Sequence, residues 1–186
     1  MFGLVLGIDP GVSRCGYGAV RREGAQLEAV GAGVIRTPGS DTLPNRLASL
    51  EEELGRVVSE LGPDALAVER VLFQANTRTA MSVGQASGLA LAVAARAGIP
   101  VTHYSPNEVK LAVVGYGGAE KHQVQTMVAR LLGLHEVPRP PDAADALALA
   151  ICHAWRLDAT PDEPDAPGTA PRLSAAIQTA LAKEGR

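Results

Sequence analysis

In 186 residues, with 46% apolar but only 3% aromatic side chains, the chain has enough material for one packed domain and a tail, its core built from Ala, Val and Leu. Such a core favours alternating strands and helices over an aromatic-rich β-sandwich. No apolar run approaches membrane-spanning length, the start carries no signal-type segment, and a formal net charge of −3 argues against a nucleic-acid partner unless the charge is unevenly spread.

The charge is uneven. Residues 157–186 hold five acids against three bases, which leaves fifteen acids and fourteen bases in residues 1–156. Cys15 and Cys152 have neither CxxC nor zinc-site spacing, so reduced packing cysteines in a soluble cytoplasmic protein are expected.

The first strand is Leu4-Val5-Leu6-Gly7-Ile8, a branched-aliphatic run suited to burial on both faces, and it leads directly into Asp9-Pro10-Gly11. Asp9 has two readings here: the opening residue of an Asp-Pro-Gly turn, or a carboxylate at the mouth of an apolar strand that needs a partner or a cation. Residues 16–21 and 27–37 read as two more strands around Arg22-Glu23-Gly24, which makes an antiparallel meander. After Pro44, Leu47, Leu50, Leu54, Val57, Val58 and Leu61 recur at helical spacing, with Glu51, Glu52 and Glu53 on a solvated face.

Gly62-Pro63 ends that helix, and Ala65-Leu66-Ala67-Val68-Glu69 reads as a second buried strand closing on a carboxylate. A strand reached through a helix runs parallel to the strand it joins, so Glu69 is expected at the same sheet edge as Asp9. Two carboxylates side by side repel unless one takes a proton or a divalent cation lies between them.

Residues 77–98 form a helix rich in small residues, including Gly84, Ser87 and Gly88, suited to close approach by the sheet or by a second subunit. Residues 100–104 give a fifth strand, 107–114 a short helix, 115–118 a glycine-rich connection and 120–132 another helix. A helix then begins at Pro140-Pro141-Asp142. Asp142 is a natural first-turn acid, whereas Asp145 heads the apolar stripe Ala148, Leu149 and Cys152. Residues 157–171, rich in Pro and Asp, read as a disordered linker, and residues 173–183 as a small amphipathic helix.

Two strand ends and one helix start thus offer four carboxylates: Asp9, Glu69, Asp142 and Asp145. Hard oxygen ligands gathered at one site suit Mg²⁺ or Mn²⁺, and paired ions roughly 3.5–4 Å apart activate water and stabilise the leaving oxygen in phosphodiester cleavage. With those four acids set aside, residues 1–156 carry fourteen bases against eleven acids. The element order implies an α/β chain with a ribonuclease-H-like fold, a mixed five-stranded sheet flanked by helices.

Gly7-Ile8-Asp9-Pro10-Gly11, Ala67-Val68-Glu69, Val109-Lys110, Ala119-Glu120-Lys121 and Asp142-Ala143-Ala144-Asp145-Ala146, in that order, resemble the motifs of the RuvC family of Holliday-junction resolvases over roughly residues 3–155. The resemblance implies a homodimeric endonuclease of DNA recombination and repair that resolves four-way junctions by paired symmetric nicks with Mg²⁺ or Mn²⁺, two ions per site. It implies residues 1–156 as the nuclease domain and Asp9, Glu69, Asp142 and Asp145 as catalytic metal ligands. Lys110 and Lys121 would lie near the DNA phosphates, and the RuvA-RuvB branch-migration proteins would be partners. Where the family often has Phe three residues after the catalytic Glu, this chain has Leu72, with Phe73 one place later; either could act as an apolar wedge at the junction, or Phe73 could be core.

A competing class is the nucleotide-binding actin and sugar-kinase type, whose phosphate loops also follow a strand carrying Asp and Gly; it needs two related domains, and this chain offers one. Residues 115–121 are no Walker loop, because Lys121 does not follow a glycine. A catalytically dead DNA-binding module would be expected to have lost some of the four carboxylates, and all four are present.

Overall fold

The computed structural model describes residues 3–70 and 77–156, with the side chains of residues 77–79 excepted. Leu72, Phe73 and the tail segments 157–171 and 173–183 lie outside the described residues. The chain begins with a meander of β1 (Gly3–Asp9), β2 (Arg14–Glu23) and β3 (Gln26–Arg36), followed by α1 (Leu43–Leu61) and β4 (Ala65–Glu69). Then come α2 (Thr77–Arg96), β5 (Val101–Tyr104), α3 (Pro106–Val114), α4 (Lys121–Leu131) and α5 (Pro141–Arg156).

The five strands form one mixed sheet in the order β3-β2-β1-β4-β5. β1 pairs antiparallel with β2 and parallel with β4, and β4 pairs parallel with β5. The crossovers through α1 and α2 make β1, β4 and β5 run the same way, so their C-terminal ends share one edge. No helix among the described residues is long and apolar enough to cross a membrane.

Strand alternation divides the core in two. Leu4, Leu6, Ile8, Cys15, Leu66 and Val68 point to one face and pack with Leu50, Leu54 and Val58 of α1 and Ala86, Ala90 and Val93 of α2. Val5, Val20 and Ala67 point to the other, against Val109 and Val113 of α3, Val124 and Val128 of α4, and Leu147, Ala148 and Ile151 of α5. Each fully buried Leu, Ile or Val contributes about 1.5–3 kcal/mol of transfer free energy. The acids between the apolar positions of α1 stay outside, where Glu51 pairs with Arg96 and Glu53 with Arg56.

Ten residues of α5 are buried, because the helix lies on a floor of glycine. Gly7 and Gly18 are cross-strand partners, and Gly16 pairs with Asp9. A Cβ on Gly7 would fall 1.9 Å from the Ala146 carbonyl oxygen, one on Gly18 2.7 Å from the Leu147 nitrogen, and one on Gly16 2.2 Å from the Asp142 carbonyl oxygen. Only hydrogen side chains let a helix backbone come this close, and that contact sets where Asp142 and Asp145 stand.

Candidate active site

β1 and β4 are parallel and in register through Ile8 and Val68, so the next residues, Asp9 and Glu69, end neighbouring strands at the same level. Glu69 also pairs with Tyr104, the last residue of β5. There the chain turns into α3 through a reciprocal cap: Ser105 N–H donates to Glu108 Oε2 at 2.8 Å, and Glu108 N–H donates to Ser105 Oγ at 3.3 Å. The bonds that Ser105 donates to that carboxyl from its N–H and from Oγ hold Glu108 below its usual range, with burial opposing them and Arg156 assisting.

Asp9, Glu69, Asp142, Asp145, Lys110 and Lys121 all line one cleft of about 420 Å³, with Pro106, Val109, Val124, Ala148 and Leu149 supplying apolar walls. The four carboxylates and the two lysines singled out in the sequence therefore meet at this cleft. Leu72 and Phe73 follow Glu69 outside the described residues.

The cleft is strongly acidic, and the protein neutralises it in three ways. Burial pushes the Asp9 carboxyl up to about 8; the charges of Glu69, Asp145 and Asp142 and a hydrogen bond to Glu69 push the same way. Burial also raises the Glu69 carboxyl, and the Asp145 charge adds to that, while the hydrogen bond from Asp9 and the Lys121 charge oppose it. Two buried carboxyls in hydrogen-bond contact cannot both ionise cheaply.

Lys121 donates from Nζ to Asp145 Oδ2 at 2.5 Å. Burial disfavours its charge, but the hydrogen bond to Asp145 and the charges of Asp145, Asp9 and Asp142 outweigh that and raise its pKa. Arg14, at the start of β2, donates from Nε at 2.8 Å and lies with Nη2 at 2.5 Å, both to Asp142 Oδ2. With two carboxylates committed to basic partners, no three acidic, histidine or cysteine groups among the described residues stand close enough to cage an ion as the side chains lie.

The donor set nonetheless fits a hard dication. It is all oxygen, it surrounds open volume, and its crowded buried carboxyls carry the negative charge that a divalent ion would offset.

Sequence reasoning missed Arg14, because its partner lies 128 residues away and nothing local marks the pair. It also missed the glycine floor, although Gly16 and Gly18 at period-2 spacing on one strand face are a legible signal of close backbone approach. The cysteines are free and buried as expected, with burial raising Cys15 to about 12 and Cys152 to about 11.

Comparison with known proteins converges on one family. The family model described as "Crossover junction endodeoxyribonuclease RuvC" matches residues 5–153. A protein of that description from Salinispora arenicola is 51% identical over 183 residues, covering 98% of this chain and 99% of its own length. Another from Chloroflexus aggregans is 53% identical over 150 residues, covering 81% and 92%. Among solved structures, Thermus thermophilus RuvC in complex with Holliday junction substrate superposes with a TM-score of 0.80 at 38% identity, covering 83% of this chain and 94% of that one. The yeast mitochondrial Holliday junction resolvase Ydc2, at 16% identity and a TM-score of 0.58, shares the fold. With the ribonuclease-H-like sheet, the acidic cleft at its edge and a match spanning nearly all the described residues, the chain belongs to the RuvC family of crossover junction endodeoxyribonucleases.

Proposed function

We propose that this enzyme resolves four-way DNA junctions by hydrolysing one phosphodiester in each of two symmetry-related strands, with Asp9, Glu69, Asp142 and Asp145 as the catalytic carboxylates. The observation that carries this reading is the convergence of four carboxylates from two strand ends and one helix start on a single cleft, beside two lysines. The likeness to a RuvC structure with a junction substrate supports the DNA partner.

The carboxylates suit two Mg²⁺ or Mn²⁺ ions, which when bound supply an activated water and stabilise the leaving oxygen. The chain's own side chains do the remaining work. Asp9 and Glu69 at the two strand ends would hold the ions from one side, and the glycine-seated α5 would present Asp142 and Asp145 to them from the other. Lys121 balances Asp145 and, with Lys110, meets the phosphates of the cut strand. Leu72 or Phe73, following Glu69, inserts at the junction as an apolar wedge.

Residues 1–156 form the nuclease domain in this reading, with residues 157–186 as linker and tail. Two equivalent cuts call for two equivalent sites, which an isologous homodimer supplies. Helix α2 is the proposed interface: Met81 is 66% exposed, and a Cβ on Gly84 or Gly88 of the same face would meet nothing within 4 Å. Met81→Asp should therefore shift sedimentation at micromolar concentration from dimer to monomer; a wild-type protein that is monomeric and fully active would refute the interface. The activity itself is tested by incubating the protein with a labelled synthetic four-way junction and with linear duplex, each with Mg²⁺ or Mn²⁺. Paired symmetric nicks in the junction alone are expected, and equal cutting of linear duplex would overturn the reading.

A further inference from the structure

Arg14 and Arg36 are directly opposite one another in the antiparallel β2–β3 ladder. Their neighbours Cys15 and Ile35 are buried in the core beneath α1, so alternation puts both arginines on the other face, beside the first turn of α5. Directly opposed residues have Cβ atoms about 4.5–5.5 Å apart, and like charges at that spacing destabilise a sheet.

Asp142 relieves only one of the two. Arg14 directs Nε and Nη2 at a single carboxylate oxygen, which leaves further N–H donors of its five unused, and its side chain is 44% exposed. Arg36 is exposed and has no ion pair or hydrogen bond with its side chain among the described residues.

The edge that carries the two arginines is braced. Thr37 Oγ1 donates to the Val12 carbonyl at 2.6 Å, Arg46 Nε donates to Thr37 Oγ1 at 2.9 Å, and Arg46 Nη2 donates to Ser13 Oγ at 2.6 Å. Thr37 N–H also reaches the Ser13 carbonyl at 3.4 Å. Ser13 precedes Arg14 and Thr37 follows Arg36, so the backbones of both arginines are fixed and the two charges cannot part by bending the strands. Two like charges at opposed positions of a braced edge, one bonded to Asp142 of the cleft and the other without an ion pair among the described residues, form an arrangement that an external anion completes.

We propose that Arg14 and Arg36 form a subsite for a backbone phosphate of the DNA, flanking the scissile position at the Asp142 wall of the cleft. Arg14 spans Asp142 and the phosphate, and Arg36 takes the phosphate alone. The subsite rests on the junction-nuclease reading and extends its footprint across β2 and β3, away from Lys110 and Lys121.

The test measures binding of a labelled four-way junction across a salt series in metal-free buffer, with thermal unfolding of each protein alongside. Against wild type, Arg36→Gln should bind roughly three- to tenfold more weakly near 0.1 M salt and flatten the slope of log affinity against log salt by about one unit. Arg36→Lys should keep most of that slope. Because the substitution removes a like-charge contact, Arg36→Gln should melt no lower than wild type, a result that a structural arginine would not give. Arg14→Gln should also flatten the slope, and the double variant by about two units. Tight wild-type binding with an unchanged slope in Arg36→Gln would remove the subsite and leave the nuclease reading standing. A lower melting temperature together with weaker binding would make Arg36 structural and likewise overturn the subsite. Failure of wild type to bind the junction would overturn the nuclease reading and the subsite with it.

Discussion

Replacing Gly16 by Ala tests whether the seating of α5 governs the site. The added Cβ would stand 2.2 Å from the Asp142 carbonyl oxygen, 2.7 Å from its carbonyl carbon and 3.1 Å from its Cβ, where ordinary contact begins near 3.4 Å. The obstacle is backbone, so the start of α5 must retreat by about 1 Å, a displacement that costs on the order of 100-fold when it moves a catalytic group. That factor corresponds to about 2.7 kcal/mol in the barrier. Overpacking costs a further ~1–3 kcal/mol of stability. At roughly 2–4 °C per kcal/mol for a chain of this size, melting should fall by about 2–12 °C. Gly55, inside α1, provides the control, since a Cβ there meets nothing within 4 Å. Gly55→Ala should leave cutting unchanged and raise stability by about 0.4–1 kcal/mol. The assays are a junction-cleavage time course and thermal unfolding of both variants. If Gly16→Ala cuts within twofold of wild type at wild-type stability, the glycine floor does not set the position of Asp142.

Asp145→Asn keeps shape but removes a hard ligand, and loss of roughly 4 kcal/mol of transition-state stabilisation would slow cutting about a thousandfold; junction binding in metal-free buffer should be at least as tight as wild type, and cutting within tenfold of wild type would rule out the four-carboxylate site. Lys110→Ala and Lys121→Ala should each weaken junction binding and flatten its salt dependence by about one unit, and unchanged slopes would return both to plain surface. His153 is held below its usual pKa by burial and by the Arg156 charge, and its Nδ1 lies 2.7 Å from the Tyr104 hydroxyl. The unfolded chain therefore takes up this proton near pH 6.5 while the folded chain takes it up only at lower pH, so stability should decline as pH falls below about 6.5. Urea unfolding across that range should show a shallower decline for His153→Gln, and an identical decline would place the titration elsewhere.

Much of the fold was legible because local rules and the tertiary outcome agree. The strand Ala65–Glu69 has the bounds its apolar run implied, and α1 stops at Gly62 in the left-handed region with φ of 58°. The crossover through α1 makes β4 parallel to β1, so Asp9 and Glu69 could be paired from sequence alone. Asp145 was legible for a different reason: an acid heading a buried apolar stripe has to find a partner.

What the sequence by itself determined was the inventory and order of the elements and the four carboxylates, since periodicity, turn residues and motif spacing are local. The tertiary structure alone decided how the charges are balanced. Arg14 meets Asp142 across 128 residues, Lys121 meets Asp145 across 24, and burial, with the charges of three other carboxylates, pushes the Asp9 carboxyl up to about 8. The opposition of Arg14 and Arg36 likewise depends on the register of β2 against β3, which shifts at Ala19/Val20. A one-residue slip there would send every later side chain of β3 to the other face, and no local pattern in the chain records that choice.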